Sequence, residues 1–119
     1  MSALVPPSFE IVVSPAAPPR DGVVMAVAGE LDVATAPEFE AALREQLAVA
    51  PVRLDLRGLS FMASSGIRVL DAILRDIAAH RWALVIEPTM QPAVRQILAL
   101  TGMTDALPFD ATQEADSNP

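Results

Sequence analysis

The chain contains no cysteine, which excludes a disulfide framework, a thiolate zinc site and a cysteine nucleophile. Positive charge is scarce: 8 basic residues face 15 acidic ones, for a net charge of −7. That balance opposes binding to phosphate backbones or anionic lipid, whose affinity comes largely from basic side chains, so no direct nucleic acid ligand is expected. No run of residues approaches the ~20 consecutive apolar positions that span a bilayer. The N-terminus also lacks a basic region followed by an apolar one. A cytoplasmic protein without membrane insertion is the expectation. There is one histidine, His80, no cluster with metal-ligand spacing and no phosphate-binding glycine loop, so neither a cofactor nor a catalytic pair is predicted. Aromatic residues make up only 4% of the 119 residues, and aliphatic residues with alanine carry the apolar fraction of 52%.

That apolar content suits one globular domain of modest core. The prolines punctuate it. Residues 1–8 have no periodicity and predict a flexible lead. Phe9 to Val13 reads as a strand, Ser14 to Gly22 as a proline-rich loop, and Val23 to Ala28 as an antiparallel return. Thr35 and Glu38 have capping-box spacing, and Phe39, Ala42, Leu43 and Leu47 form the buried stripe of a first helix. Glu40 and Arg44 sit four apart on its wet side. Pro51 ends this helix, and Val52, Leu54 and Leu56 alternate with Arg53 and Asp55 as a strand. From about Ser65 to His80, Ile67, Leu70, Ile73, Leu74 and Ile77 recur at helical spacing, with Asp71 and Arg75 spaced for pairing. Ala83 to Ile86 is a short apolar strand. A third helix has Pro92 in its first turn, a stripe of Val94, Ile97, Leu98 and Thr101, and Gly102 at its end. Leu107 to Phe109 suggests one more short strand, and 110–119 an acidic disordered tail. The predicted fold is therefore a single α/β domain over 9–109: a mixed, mainly parallel sheet with an antiparallel N-terminal hairpin and three main helices.

The strand–loop–helix passage from Leu54 to Leu70 is the centre of this arrangement, because ligand and partner sites gather where strand ends meet helix starts in α/β proteins. Three stretches, Gly29-Glu-Leu-Asp32, Leu54-Asp-Leu-Arg-Gly-Leu-Ser-Phe-Met62 leading into Ser64-Ser65-Gly66, and Thr101-Gly-Met-Thr-Asp105, resemble the STAS domain family. The bacterial anti-sigma factor antagonists are the type they resemble most. In that family the first hydroxyl residue of the loop is phosphorylated by the anti-sigma factor, which is also a serine kinase of histidine-kinase-like ATPase type. The resemblance places this role on Ser64, with Ser65 as the fallback. The unmodified antagonist would bind the anti-sigma factor and release the sigma factor; the phosphorylated one would not. Where the family has an acidic residue before the serine, this chain has Ala63.

Each of these positions has a plain structural reading beside the functional one. Ser64 stands at a predicted helix start, where serine is a preferred N-cap; capping and phosphorylation coexist there, since a helix N-terminus favours anions. Asp32 is the supporting carboxylate that the resemblance implies, or a turn residue ahead of the first helix. Gly66 permits close approach at the helix start. Met62 and Ile67 are apolar flanks, either partner anchors or core. Arg68 is a partner contact or a solvated charge, Asp55 an outward-facing strand residue, and His80 a dipole contact at a helix C-terminus. The predicted function is a binding switch in transcription regulation and not an enzyme. The alternatives are an unphosphorylated STAS scaffold in a signalling or lipid-transport assembly and, from another class, a small nucleotide hydrolase.

Overall fold

A computed structural model of the chain describes residues 9–18 and 20–110. The predicted lead over 1–8 and residues 111–119 of the predicted tail lie outside them. Four strands, β1 (Glu10–Pro15), β2 (Val23–Leu31), β3 (Val52–Met62) and β4 (Leu84–Ile86), form one sheet in chain order. β1 is antiparallel to β2; β2, β3 and β4 run parallel. The helices are α1 (Ala36–Leu47), α2 (Ser64–His80), α3 (Pro92–Leu100) and the single turn α4 (Met103–Ala106).

Side-chain alternation decides which face of the sheet is covered. Met25 and Val27 of β2, Val52, Leu54 and Leu56 of β3, and Leu84 and Ile86 of β4 are all buried on one side. Phe39, Leu43 and Leu47 of α1, Val69, Leu70 and Ile73 of α2, and Val94 and Leu98 of α3 join them in one core. Residues on the opposite side of the sheet, such as Val12 and Val85, remain exposed. A one-sided sheet of this kind needs each strand to keep its parity, because a slip of one residue turns its apolar set to water.

β3 breaks that parity twice and survives. Between Ala26/Asp55 and Ala28/Gly58, and again between Gly29/Leu59 and Glu30/Phe61, β3 advances one residue more than β2. Its buried positions therefore step from Leu56 to Leu59 to Met62, and each bulge restores an apolar residue to the core. What the alternation predicts as a short strand followed by a loop is a strand of 11 residues, with Ala63 alone between it and α2.

Other boundaries also move. β1 continues through Ser14 and Pro15, opposite Val24 and Val23; β1 is an edge strand, where proline costs no ladder bond. β2 runs on to Leu31. The predicted last strand reduces to one bridge between Ile86 and Phe109, and α4 was not foreseen. Asp110, assigned to the tail by its sequence context, is buried: its N–H donates to the Ile86 carbonyl at 2.9 Å, and its carboxylate meets Arg53 at 2.6 Å. The helix-surface pairs Glu40–Arg44 and Asp71–Arg75 form as spaced, and Arg44 reaches on to Asp76 at 2.7 Å, tying α1 to α2.

Candidate functional site

The carboxyl ends of β2 and β3 finish together. Leu31 pairs with Met62, and the Ala63 N–H donates to the Leu31 carbonyl at 2.8 Å. The two chains then part, one into the Asp32–Thr35 loop before α1 and the other directly into α2. Asp32 and Ser64 each lie one residue beyond that last shared hydrogen bond.

Local chemistry fixes both loops. The Asp32 carboxylate accepts from the N–H groups of Ala34 (3.0 Å) and Thr35 (3.1 Å), an Asx turn that takes the place of the predicted capping box. The Thr35 hydroxyl faces backward: it accepts from the Asp32 N–H at 2.9 Å and donates to the Glu30 carbonyl at 2.9 Å. Thr35 occupies the N-cap position of α1 without a side-chain cap, because its oxygen is committed to this turn. Asp32 is thus half-buried and engaged with backbone, which realises its structural reading while leaving it beside the serine loop.

In α2 the N-cap is Ala63, not Ser64, with φ −89° and ψ 173° and no side-chain cap. Ser64 is the first helical residue and is exposed. Its hydroxyl is therefore not spent on capping. Ser65 is half-buried, and its hydroxyl oxygen is buried and makes no hydrogen bond, so Ser64 carries the more accessible of the two hydroxyls. Gly66 is buried; a Cβ there would lie 2.8 Å from Leu31 Cδ2 and 2.9 Å from Met62 Cγ, which is the close approach of helix start to strand ends expected of it. Ile67 is half-buried against the core, and Arg68 is exposed.

Met62 is 2% exposed and belongs to the core, so it offers no surface to a partner. The bulges in β3 set its parity and put Phe61, 44% exposed, on the outside instead. Val33, 79% exposed, stands in the Asp32–Thr35 loop at the same end of the sheet. These two apolar side chains were not picked out from the sequence. Phe61 is recognisable only once the bulges are known, and Val33 has no sequence signal beyond its place in the turn.

Electrostatics elsewhere are structural. Arg57 donates to the Asp55 carboxylate at 3.0 and 2.9 Å, and this bond holds the Asp55 carboxyl below its ordinary range. Asp55 is on the open side of the sheet, away from the serine corner. His80 lies at the other end of α2 from Ser64, about 24 Å along a helix of that length, with its Nδ1 3.0 Å from the Asp76 carbonyl and its ring stacked on Trp82 at 4.5 Å. An apolar groove of about 700 Å³ is also remote, lined by Leu74, Ile77, Trp82, Leu84 and Pro108 among others. Among the described residues no group of three or more His, Cys, Asp or Glu is placed to hold a metal ion, and no helix is long and apolar enough to cross a membrane.

A family model for the STAS domain matches residues 14–115. Among solved structures, an anti-sigma factor antagonist from Mycobacterium paratuberculosis is 28% identical with a TM-score of 0.70, covering 86% of this chain and 85% of its own. The anti-sigma factor antagonist SpoIIAA in its unphosphorylated form is 22% identical with a TM-score of 0.63, covering 91% and 92%. SpoIIAA of Bacillus in the phosphorylated form is 20% identical with a TM-score of 0.55, covering 92% and 97%. The two SpoIIAA likenesses speak for the fold alone. No curated protein sequence matches the chain.

Proposed function

The chain belongs to the STAS domain family, and from that premise we propose that it is an anti-sigma factor antagonist switched by phosphorylation of Ser64. In the unmodified state it docks on an anti-sigma factor through the surface around the β3–α2 corner and so frees a sigma factor. The anti-sigma factor, a serine kinase of histidine-kinase-like type, transfers the γ-phosphoryl group of ATP to the Ser64 oxygen. The bond to the ADP leaving group breaks as the serine proton is lost, and the phosphorylated corner no longer docks. The chain itself catalyses nothing; it is the kinase's substrate and its ligand.

The observation that carries this reading is the placement of Ser64: exposed, uncommitted to capping, and at the head of α2, a helix of 17 residues. The first N–H groups of a helix lack internal partners and favour an anion. Val33 and Phe61 supply apolar contact area at the same end, the kind of surface a partner buries.

The test incubates the chain with ATP and a histidine-kinase-like anti-sigma factor. Phosphoserine at position 64, absent in Ser64→Ala, is the expected product. Ser64→Ala should bind the anti-sigma factor as the unmodified chain does, and the phosphorylated chain should not. Stable binding with no phosphoserine would favour the scaffold reading, and ATP hydrolysis without the partner would favour an enzyme.

A further inference from the structure

Arg68 is exposed on α2 and follows Ser64 by four residues. On a helix those positions are stacked neighbours, and helical side chains lean toward the N-terminus, so a phosphate on Ser64 falls within reach of the Arg68 guanidinium. Its other helix neighbour of opposite charge is already engaged, because Asp71 pairs with Arg75. Among the described residues Arg68, like Arg81 and Arg95, forms no ion pair, whereas Arg20, Arg44, Arg53, Arg57 and Arg75 do; of the three, Arg68 is the one a helical turn from Ser64.

We propose that Arg68 is the internal counter-ion of phosphoserine 64, a positioning residue that fixes the phosphate on the domain's own surface. This deepens the reading of Ser64 as the modified residue and rests on it. The order acid then base at i and i+4 is the favourable one on a helix. A guanidinium fork also matches phosphate oxygens in two-pronged geometry. The residue before the serine acts in the same direction: Ala63 places no carboxylate beside the phosphate, so local charge at the corner favours the dianion. Asp32, in the adjacent loop, is the nearby acidic group, and its carboxylate is already occupied by two backbone N–H groups.

The test is a double-mutant cycle with phosphoserine installed at position 64 by genetic encoding, which needs no kinase. Four proteins are melted: unmodified and phosphorylated, each with Arg68 or with Arg68→Gln. The shift in melting midpoint on phosphorylation should be more favourable with Arg68 than with Gln by about 1–2 °C. The difference should shrink in 1 M salt and be recovered in part by Arg68→Lys. A merely structural role for Arg68 would move both members of each pair alike and give no difference. Equal shifts with Arg and Gln, or a difference indifferent to salt, would overturn the proposal while leaving the Ser64 switch standing. Absence of kinase-made phosphoserine overturns the switch and leaves this coupling measurable.

Discussion

Replacing Ala63 by Asp puts before the serine the acidic residue that the family resemblance implies, and its first effect should be on the fold. Ala63 is the N-cap of α2 and already has the extended backbone that a capping residue adopts. Alanine has no acceptor to offer; the Gly66 and Ile67 N–H groups turn back to the Ala63 carbonyl at 3.0 and 3.3 Å. An Asp side chain at this position accepts from the N–H of Ser65 or Gly66, a change worth about 1 kcal/mol within a range of ~0.5–2. The first turn of α2 holds no acidic residue, so the charge itself adds ~0.3–1 kcal/mol against the helix dipole. Repulsion from Asp32 across the corner takes back part of this. A net gain of about 1 kcal/mol raises the melting midpoint of a domain this size by about 4 °C. Calorimetry on Ala63→Asp and Ala63→Asn separates the two contributions, since Asn keeps the cap and drops the charge. An unchanged or lowered midpoint in both variants would refute the assignment of Ala63 as a vacant cap. Because docking depends on a wider surface, affinity of the unmodified chain for the anti-sigma factor should stay nearly constant, while the rate of phosphoserine formation rises.

Gly66→Ala drives a Cβ against the buried side chains of Leu31 and Met62; a net loss of about 1–2 kcal/mol is expected after the gain in helix propensity, read as a lower midpoint in urea or heat. Val33→Ser and Phe61→Ser remove exposed apolar anchors, so each should weaken binding to the anti-sigma factor about five- to thirtyfold with no change in melting; unchanged affinity in both would place the interface elsewhere. The Arg57 bond lowers the Asp55 carboxyl from its ordinary value, so its stabilisation is present above the unfolded pKa of ~3.9 and is lost as pH falls through the lower folded value. With Arg57 63% exposed the contribution is small, roughly 0.2–1 kcal/mol. The stability difference between wild type and Asp55→Asn should therefore hold from pH 6 to about 4 and close below that; a difference independent of pH would exclude the pair as its cause.

Most of the architecture was legible because most elements keep one period. The stripe of α1, the stripe of α2 and the alternation of β2 lead directly to the core they occupy. β3 was legible only as far as Leu56, since two bulges turn a period of two into a period of three; Gly58, a glycine inside a strand, is a signal for the first of them, whereas Ser60 gives none for the second. The sequence does not decide between anchor and core for Met62 for the same reason: its facing depends on register, which belongs to the pairing of β2 with β3 and not to β3 alone. The capping box at Thr35 failed by competition. Asp32, three residues earlier, captures the Thr35 N–H that Glu38 would have taken, and the same turn occupies the Thr35 hydroxyl. Asp110 reads as tail because its burial is supplied from a distance, by Arg53 and the Ile86 carbonyl.

On the proposed reading, the free energy of the switch resides in the docked complex, and the sign of two measurements distinguishes this from a switch in the fold. In the free domain a phosphate on Ser64 meets a helix N-terminus, worth ~0.3–1 kcal/mol, with Arg68 one turn away and no acid at position 63. Phosphorylation should then leave the isolated domain as stable as before or more so. In the complex the same group is desolvated between the Val33 and Phe61 contacts. There it faces a surface that fits the neutral Ser64 hydroxyl of the unmodified chain. Should a like charge lie ~4 Å away, repulsion at an effective dielectric of 20 is about 4 kcal/mol, close to a thousandfold in affinity at ~1.4 kcal/mol per decade. Each interaction that steadies the phosphate on the free domain, and is broken on docking, adds to that penalty. Stability and affinity must accordingly move in opposite directions on phosphorylation. Melting and calorimetric titration on one phosphorylated sample measure both. If both fall together, the phosphate acts by loosening α2, and the corner is a fold switch instead.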